Sequence, residues 1–335
     1  MTDNFFRIIK ILNGEGSIMR IRISIILILF TFIKIFSLES VLIDFNNLDG
    51  TTIDFSEFSK STNWNEEVKQ EMKVDLSLDR WTVKVNSSSW TKESKDKTYV
   101  FPIVHSQHFP DITVLGLRIF FPERHANSYA LIEPPFEIPS YYDDKKNPTG
   151  MGNIFLNKGV VRNVGVLRKL NVTVLGNNFR YSLYVRIKDN NNEIKDVFVG
   201  YLNYQGWRTL SWLNPNLEFE LFMREQRKRT RPHYPDEFPY VKLIYFMVQR
   251  SDPEITGNFV TMIKDVSIEY DEAVIETGKT EDFQEEIFGI YKEELVERAK
   301  NEMRNVDRQI YLKWEEKKKM HKEEEEKLNE ENITK

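Results

Sequence analysis

The sequence predicts a mainly β fold: an antiparallel β-sandwich or jelly roll followed by one C-terminal amphipathic α-helix. Three observations carry this. From Val41 to about Ile275 the apolar residues recur with a period of two, the mark of strands with one buried and one wet face. Aromatic residues make up 13% of the 335-residue chain, with 23 Phe, 14 Tyr and 6 Trp, and such side chains suit a pleated surface. Near Thr280 the spacing changes to three and four and holds to Trp314, which is a helical stripe.

Taken in order, Val41–Phe45 opens the strand pattern and Met72–Leu76 alternates. In Arg80–Val85, Trp81, Val83 and Val85 share a face. Asn171–Leu175 and Tyr181–Lys188 continue the alternation. Ile112–Phe121 and Val241–Val248 are apolar almost without interruption, as strands in the middle of a packed sandwich are. Asn147-Pro148-Thr149-Gly150, Asn177-Asn178, Asp189–Asn192 and Ser251-Asp252-Pro253 supply the turns, Asp189–Asn192 as a hairpin. The proline-rich stretch Phe121–Pro139 reads as a sheet edge or a structured crossover, because proline cannot donate to a ladder. Tyr141–Gly152 reads as a mobile loop.

Charge and composition bound the function. Forty-seven Lys+Arg stand against 52 Asp+Glu, so no global basic field points to nucleic acid. The absence of cysteine removes disulfides, thiolate metal sites and cysteine nucleophiles. A chain of this length builds its core without staples. No metalloprotease, nucleophile-elbow, phosphate-loop or dinucleotide motif occurs. His105 and His108 sit at ligand spacing, but Pro102 and Phe109-Pro110 make a surface loop of the segment. Neither catalysis nor a cofactor is expected.

The N-terminus reads as an export leader over residues 1–37, with the true start at Met19 and a signal peptide from 19 to 37. The alternative is an uncleaved N-terminal anchor, since Lys34 interrupts the apolar run and Ile35 and Ser37 fit the small-residue cleavage pattern imperfectly. Met19-Arg20-Ile21-Arg22 is a short basic region, and Ile23–Ile33 is apolar without a charge. That run is shorter than the ~20 residues a spanning helix needs, so no stable membrane insertion is expected once the leader is removed. The sandwich then covers 38–275, the amphipathic helix 280–315, and a charged, disordered tail 316–335.

Three sets of residues are candidates for contact with partners. Arg224, Arg227, Lys228, Arg229 and Arg231 give five basic residues in eight; the run either steers the chain onto an acidic neighbour or forms a solvated loop. Trp207 and Trp212 either fill the core or, if exposed on a jelly-roll face, stack on sugar rings in the manner of a carbohydrate-binding module. The stripe Phe283, Ile287, Tyr291, Leu295, Ala299, Met303, Val306, Ile310 and Trp314 would form a rod about 48 Å long at 1.5 Å per residue. That exceeds the ~30 Å breadth of a small domain. Residues before Ala299 are therefore expected to lie on the sandwich, and Met303, Val306, Ile310 and Trp314 to meet a neighbouring subunit.

Four further blocks bear on identity. They are Thr113-Val114-Leu115-Gly116-Leu117-Arg118-Ile119-Phe120-Phe121-Pro122 with Ala130–Pro139, then Tyr204-Gln205-Gly206-Trp207 with Ser211–Asn216, then Met262–Asp271, and the opening Val41–Phe45. In this order they resemble the spirochaete periplasmic flagellar filament outer-layer (sheath) proteins, the FlaA family. The resemblance implies a non-enzymatic structural subunit exported to the periplasm. It would coat the flagellin core of the periplasmic flagella beside other copies of itself or related sheath subunits, adding stiffness used in motility. It supplies no catalytic residue. The alternative is a periplasmic, lectin-like β-sandwich that binds carbohydrate.

Overall fold

The computed structural model describes residues 37–56, 70–104, 106–122, 127–143, 152–189, 193–226, 239–251, 256–273 and 290–333. The leader, the Asn190–Asn192 tip and most of the basic run lie outside the described residues. The strands are β1 (Leu38–Asp44), β2 (Thr52–Asp54), β3 (Lys73–Asp75), β4 (Thr82–Val85), β5 (Tyr99–Ile103), β6 (Val114–Phe121), β7 (Tyr129–Glu133), β8 (Val160–Arg162), β9 (Val164–Asn177), β10 (Tyr181–Asp189), β11 (Ile194–Tyr201), β12 (Gln205–Leu213), β13 (Tyr240–Arg250) and β14 (Gly257–Glu272). The α-helices are α1 (Lys92–Lys97), α2 (Leu217–Gln226) and α3 (Ile290–Ile333).

The strands form two six-stranded antiparallel sheets. In the first the order is β12-β9-β14-β6-β5, with β1 also paired to β14. In the second it is β11-β10-β13-β7-β4, with β8 also paired to β13. Because β9 runs along one edge of β14, strands β1 and β6 share the opposite edge. Strands β7 and β8 share an edge of β13 in the same way. The expected strands appear where the alternation placed them, and Val241–Val248 lies mid-sheet in β13. Proline 102 sits in β5, which pairs only with β6, an edge position that tolerates a missing N–H.

Both central strands carry a bulge that alternation alone does not reveal. In β14 the buried residues are Phe259, Thr261 and Ile263, then Val266, Ile268 and Tyr270. The parity turns over at Lys264, where Ile263 faces Val174 but Asp265 faces Thr173. In β13, Val241 and Leu243 are buried, then Phe246 and Val248, with the slip at Ile244 between Leu243↔Ile187 and Tyr245↔Arg186. One extra residue flips every side chain beyond it to the other face. Each central strand thereby keeps an apolar inner face over more than ten residues of twisted sheet.

Rings from both sheets meet in the core. Tyr181 of β10 lies 4.4 Å from Phe259 of β14 and 5.7 Å from Phe121 of β6, centroid to centroid. Phe45 touches Trp81 and Phe246 at 5.4 and 6.0 Å. Two polar side chains carried inward find backbone partners: Trp81 Nε1 donates to the Leu76 carbonyl at 3.0 Å, and Thr261 Oγ1 to that of Leu175 at 2.7 Å. Gly176 is required by close approach, since a Cβ there would lie 2.5 Å from the ring of Tyr204. The Tyr141–Gly152 stretch is not mobile at its start. Tyr142 and Asp143 are buried, and the Tyr141 ring packs on Tyr240 and under Arg162; residues 144–151 lie outside the described residues.

The C-terminal helix departs from expectation twice. It runs through the charged stretch to Ile333 instead of giving way to a disordered tail at 316. The segment is rich in Glu and Lys, both strong helix formers, and Glu315–Lys319 and Glu323–Lys327 are at the favourable i,i+4 spacing. Its expected start near Thr280 lies outside the described residues. The second departure concerns the stripe. Ile310 is only 5% exposed and belongs to the sandwich core, with Val306, Tyr311 and Trp314 packed against it. Met303 is half-buried. Val306, Ile310 and Trp314, expected to meet a neighbour, instead cover the chain's own sandwich, because its apolar surface is the nearest available partner.

Candidate functional site

One ionic cluster anchors α3. Glu137, in the crossover after β7, accepts from Lys242 Nζ of β13 at 2.9 Å and pairs with Lys313 of α3. One turn on, Lys317 stands within reach of the charges of Glu133 and Lys84, which pair with each other at 3.2 Å. Lys242 is 6% exposed and also donates to the Ile138 carbonyl at 3.1 Å. Burial pulls its ammonium down from 10.5 to about 8, and Lys188 pushes the same way. Burial outweighs the adjacent carboxylate here, as desolvation does for an enclosed ion.

Two variants separate the members of this cluster. Glu137→Gln leaves a buried ammonium without its counter-ion and should cost about 3 kcal/mol, whereas Lys242→Met should be neutral or stabilising. Between pH 8 and 10.5 the unfolded chain holds a proton at Lys242 that the folded chain has released. Stability contributed by this lysine therefore rises with pH across that window and is lowest below pH 8. Urea unfolding of wild type and Lys242→Met at pH 7 and pH 9.5 should show the wild type gaining on the variant; a constant difference contradicts the shift.

The expected contact residues are placed as follows. Arg224 is in the last turn of α2, and Arg227, Lys228, Arg229 and Arg231 lie outside the described residues. Neither Trp207 nor Trp212 is exposed. Trp212, opposite Leu170, faces the core and packs on it. Trp207, opposite Leu175, is on the outer face, where its ring meets Phe109 at 4.9 Å beside Lys264. The two side chains point to opposite faces because they are an odd number of residues apart on one strand. Among the described residues the exposed tryptophan is Trp90. His108 is exposed in a turn, as a surface loop requires.

A surface the alternation missed surrounds α2. Leu213, Phe219 and Phe222 are 69%, 65% and 56% exposed. They are held firmly: Asn214 Nδ2 donates to the Leu167 carbonyl at 2.7 Å and to Glu220 at 2.9 Å, and Lys195 of β11 pairs with Glu220 at 3.5 Å. Leu-Glu-Phe-Glu-Leu-Phe at 217–222 alternates like a strand. The helix-start signal was Pro215-Asn216 before the acidic first turn of Glu218 and Glu220. Large apolar side chains exposed together on an edge of the sandwich make this stretch a candidate interaction surface.

The outer face of the first sheet is a polar ladder. Ser211, Asn171 and Ser267 are hydrogen-bonded in sequence across β12, β9 and β14 at 2.7 and 3.4 Å, and Lys169 pairs with Glu269 at 2.9 Å. Tyr204, whose hydroxyl donates to the Val174 carbonyl at 3.1 Å, has its pKa pushed up to about 12 by burial, a fixed structural role. Among the described residues no group of three or more His, Asp or Glu is placed to hold a metal ion, and no helix is long and apolar enough to cross a membrane.

Residues 44–279 match the family model described as flagellar filament outer layer protein. A relative of that name from Spirochaeta aurantia is 33% identical over 303 residues, covering 86% of this chain and 89% of the relative. One from Treponema pallidum is 33% identical over 315 residues, covering 84% and 89%. Among solved structures, a carbohydrate-binding module in complex with β-1,4-galactotriose overlaps 58% of this chain and 90% of its own, at 9% identity and a TM-score of 0.28. That likeness is too slight to carry any inference.

Proposed function

The chain belongs to the flagellar filament outer-layer protein family, and from that premise we propose that it is a non-catalytic sheath subunit coating a flagellin core in the periplasm. The family match across 44–279 carries the reading, because it spans the sandwich in order and does not rest on one motif. The basic and apolar run Met19–Phe36 supports export. Partners on this reading are flagellin, further copies of the chain and related sheath subunits. The mechanical consequence follows from geometry: bending stiffness rises steeply with radius, so material laid outside a core filament contributes strongly to it. That added stiffness would serve cell motility.

Mass spectrometry of purified periplasmic flagella tests this. The chain should co-purify with flagellin, and its mature N-terminus should fall between Leu38 and Val41. Absence from the filaments, or a mature chain that keeps Met1, contradicts the reading. The basic run is proposed to dock on an acidic surface of the filament, next in the chain to the apolar cluster of α2. Reversing Arg227, Lys228 and Arg229 to Glu should weaken co-sedimentation with core filaments most at low salt, since exposed charges are screened over ~8–10 Å at physiological ionic strength. Equal binding across a salt series would assign the run to a solvated loop.

A further inference from the structure

On the outer face of the second sheet, pairing sets Tyr201, Ser182, Gln249 and Tyr129 in one row across β11, β10, β13 and β7. The next row is Phe198, Tyr184, Met247 and Leu131. Three rings touch in succession at the β11 end: Tyr184 to Phe198 and Phe198 to Tyr201, each at 5.2 Å. Phe198 and Tyr201 are 38% and 39% exposed. Large aromatic side chains left in water on a sheet face are informative in a way that scattered apolar residues are not.

A cleft of about 300 Å³ opens in the first row, lined by Asn127, Ser182, Gln249, Arg250 and Ser251. Its lining offers hydroxyl and carboxamide groups, which both donate and accept. Gln249 Nε2 donates to Asn127 Oδ1 at 3.3 Å, which orients the two amides. The backbone of Asn127 is left-handed, at φ 68°, a conformation asparagine tolerates. Of the nearby charges, Arg186 pairs with Asp196 and lies over the ring of Tyr245 at 4.6 Å, and Arg180 lies over one face of the Tyr201 ring at 5.1 Å. The floor is thus polar and the flank aromatic, and the one cation among the lining residues, Arg250, is only 2% exposed, so that hydroxyl and carboxamide groups face the solvent.

We propose that this face binds a neutral glycan, with sugar hydroxyls on Ser182, Gln249 and Asn127 and sugar rings against Phe198 and Tyr201. A few convergent polar groups within an aromatic surround are the usual makeup of a small-ligand site, and hydroxyl-rich rings with apolar faces match both parts at once. The site is separate from Trp207 and Trp212, and it does not depend on the sheath role.

Calorimetric titration of the full chain with cellohexaose, chitohexaose, maltohexaose and mannohexaose tests it, beside an array of free and protein-linked neutral glycans that tells those two sources apart. At least one neutral glycan should bind. Phe198→Ala and Tyr201→Ala should each weaken that binding roughly tenfold, as loss of one aromatic contact does, with thermal unfolding unchanged because both rings are half in solvent. Ser182→Ala combined with Gln249→Ala should weaken it independently. Failure of every neutral glycan to bind, or binding that the folded Phe198→Ala/Tyr201→Ala variant retains, overturns the proposal. So does a variant that loses core-filament binding while the wild type binds no glycan, which would make the face a protein-docking surface.

Discussion

Truncation after Asn301 should lower the midpoint of thermal unfolding by at least ~6 °C. The segment removed holds Ile310, buried in the sandwich core, with Val306, Tyr311 and Trp314 packed against it. A fully buried aliphatic side chain contributes about 1.5–3 kcal/mol, and the half-buried Val, Tyr and Trp add to that. Even a net loss of ~3 kcal/mol, after the ordering entropy of the helix is subtracted, shifts the midpoint by 2–4 °C per kcal/mol in a domain of this size. The point version is Ile310→Ala, expected to cost about 2–4 kcal/mol. Differential scanning of the truncated and full chains decides the matter. If the truncated chain unfolds at the full chain's temperature, the helix does not lie on its own sandwich, and the stripe is free to meet another subunit.

The second large effect is expected at Tyr181→Ala, about 3–5 kcal/mol. This ring touches Phe179, Phe259 and Phe121, so it joins the two sheets at one end of β10, β14 and β6. Edge-to-face and tilted pairs of this kind contribute beyond their buried area. The cavity left by alanine is lined by large rings that cannot collapse into it without moving strands of both sheets, which places the cost toward the upper end. Urea unfolding should show a lower midpoint with an unchanged slope. A loss under ~1.5 kcal/mol would mean that the sheets repack freely there, contrary to the dense ring contacts.

Much of this molecule is local chemistry and was legible in the chain as written. Alternation at Thr82–Val85, Asn171–Leu175 and Tyr181–Lys188 dictates strands, because period two can bury one face only in an extended conformation. The near-continuous apolar run Val241–Val248 dictates a strand covered on both edges. The change of period near Thr280 dictates a helix, and the order of blocks from Val41 to Asp271 identified the family. Three features were settled only by tertiary structure. The bulges at Lys264 and Ile244 reverse which face is buried, and their place depends on twist accumulated across neighbouring strands, not on either strand's composition. Trp207 and Trp212 differ in facing because register with β9 assigns one to the outer surface and the other to the core. The α3 stripe had to be covered by something, but an apolar stripe states only that requirement. Burial on the chain's own sandwich and burial on a neighbour remove similar surface from water, and the choice turns on which partner surface lies within reach: here Glu137, Lys242 and the core beneath Ile310 supply it.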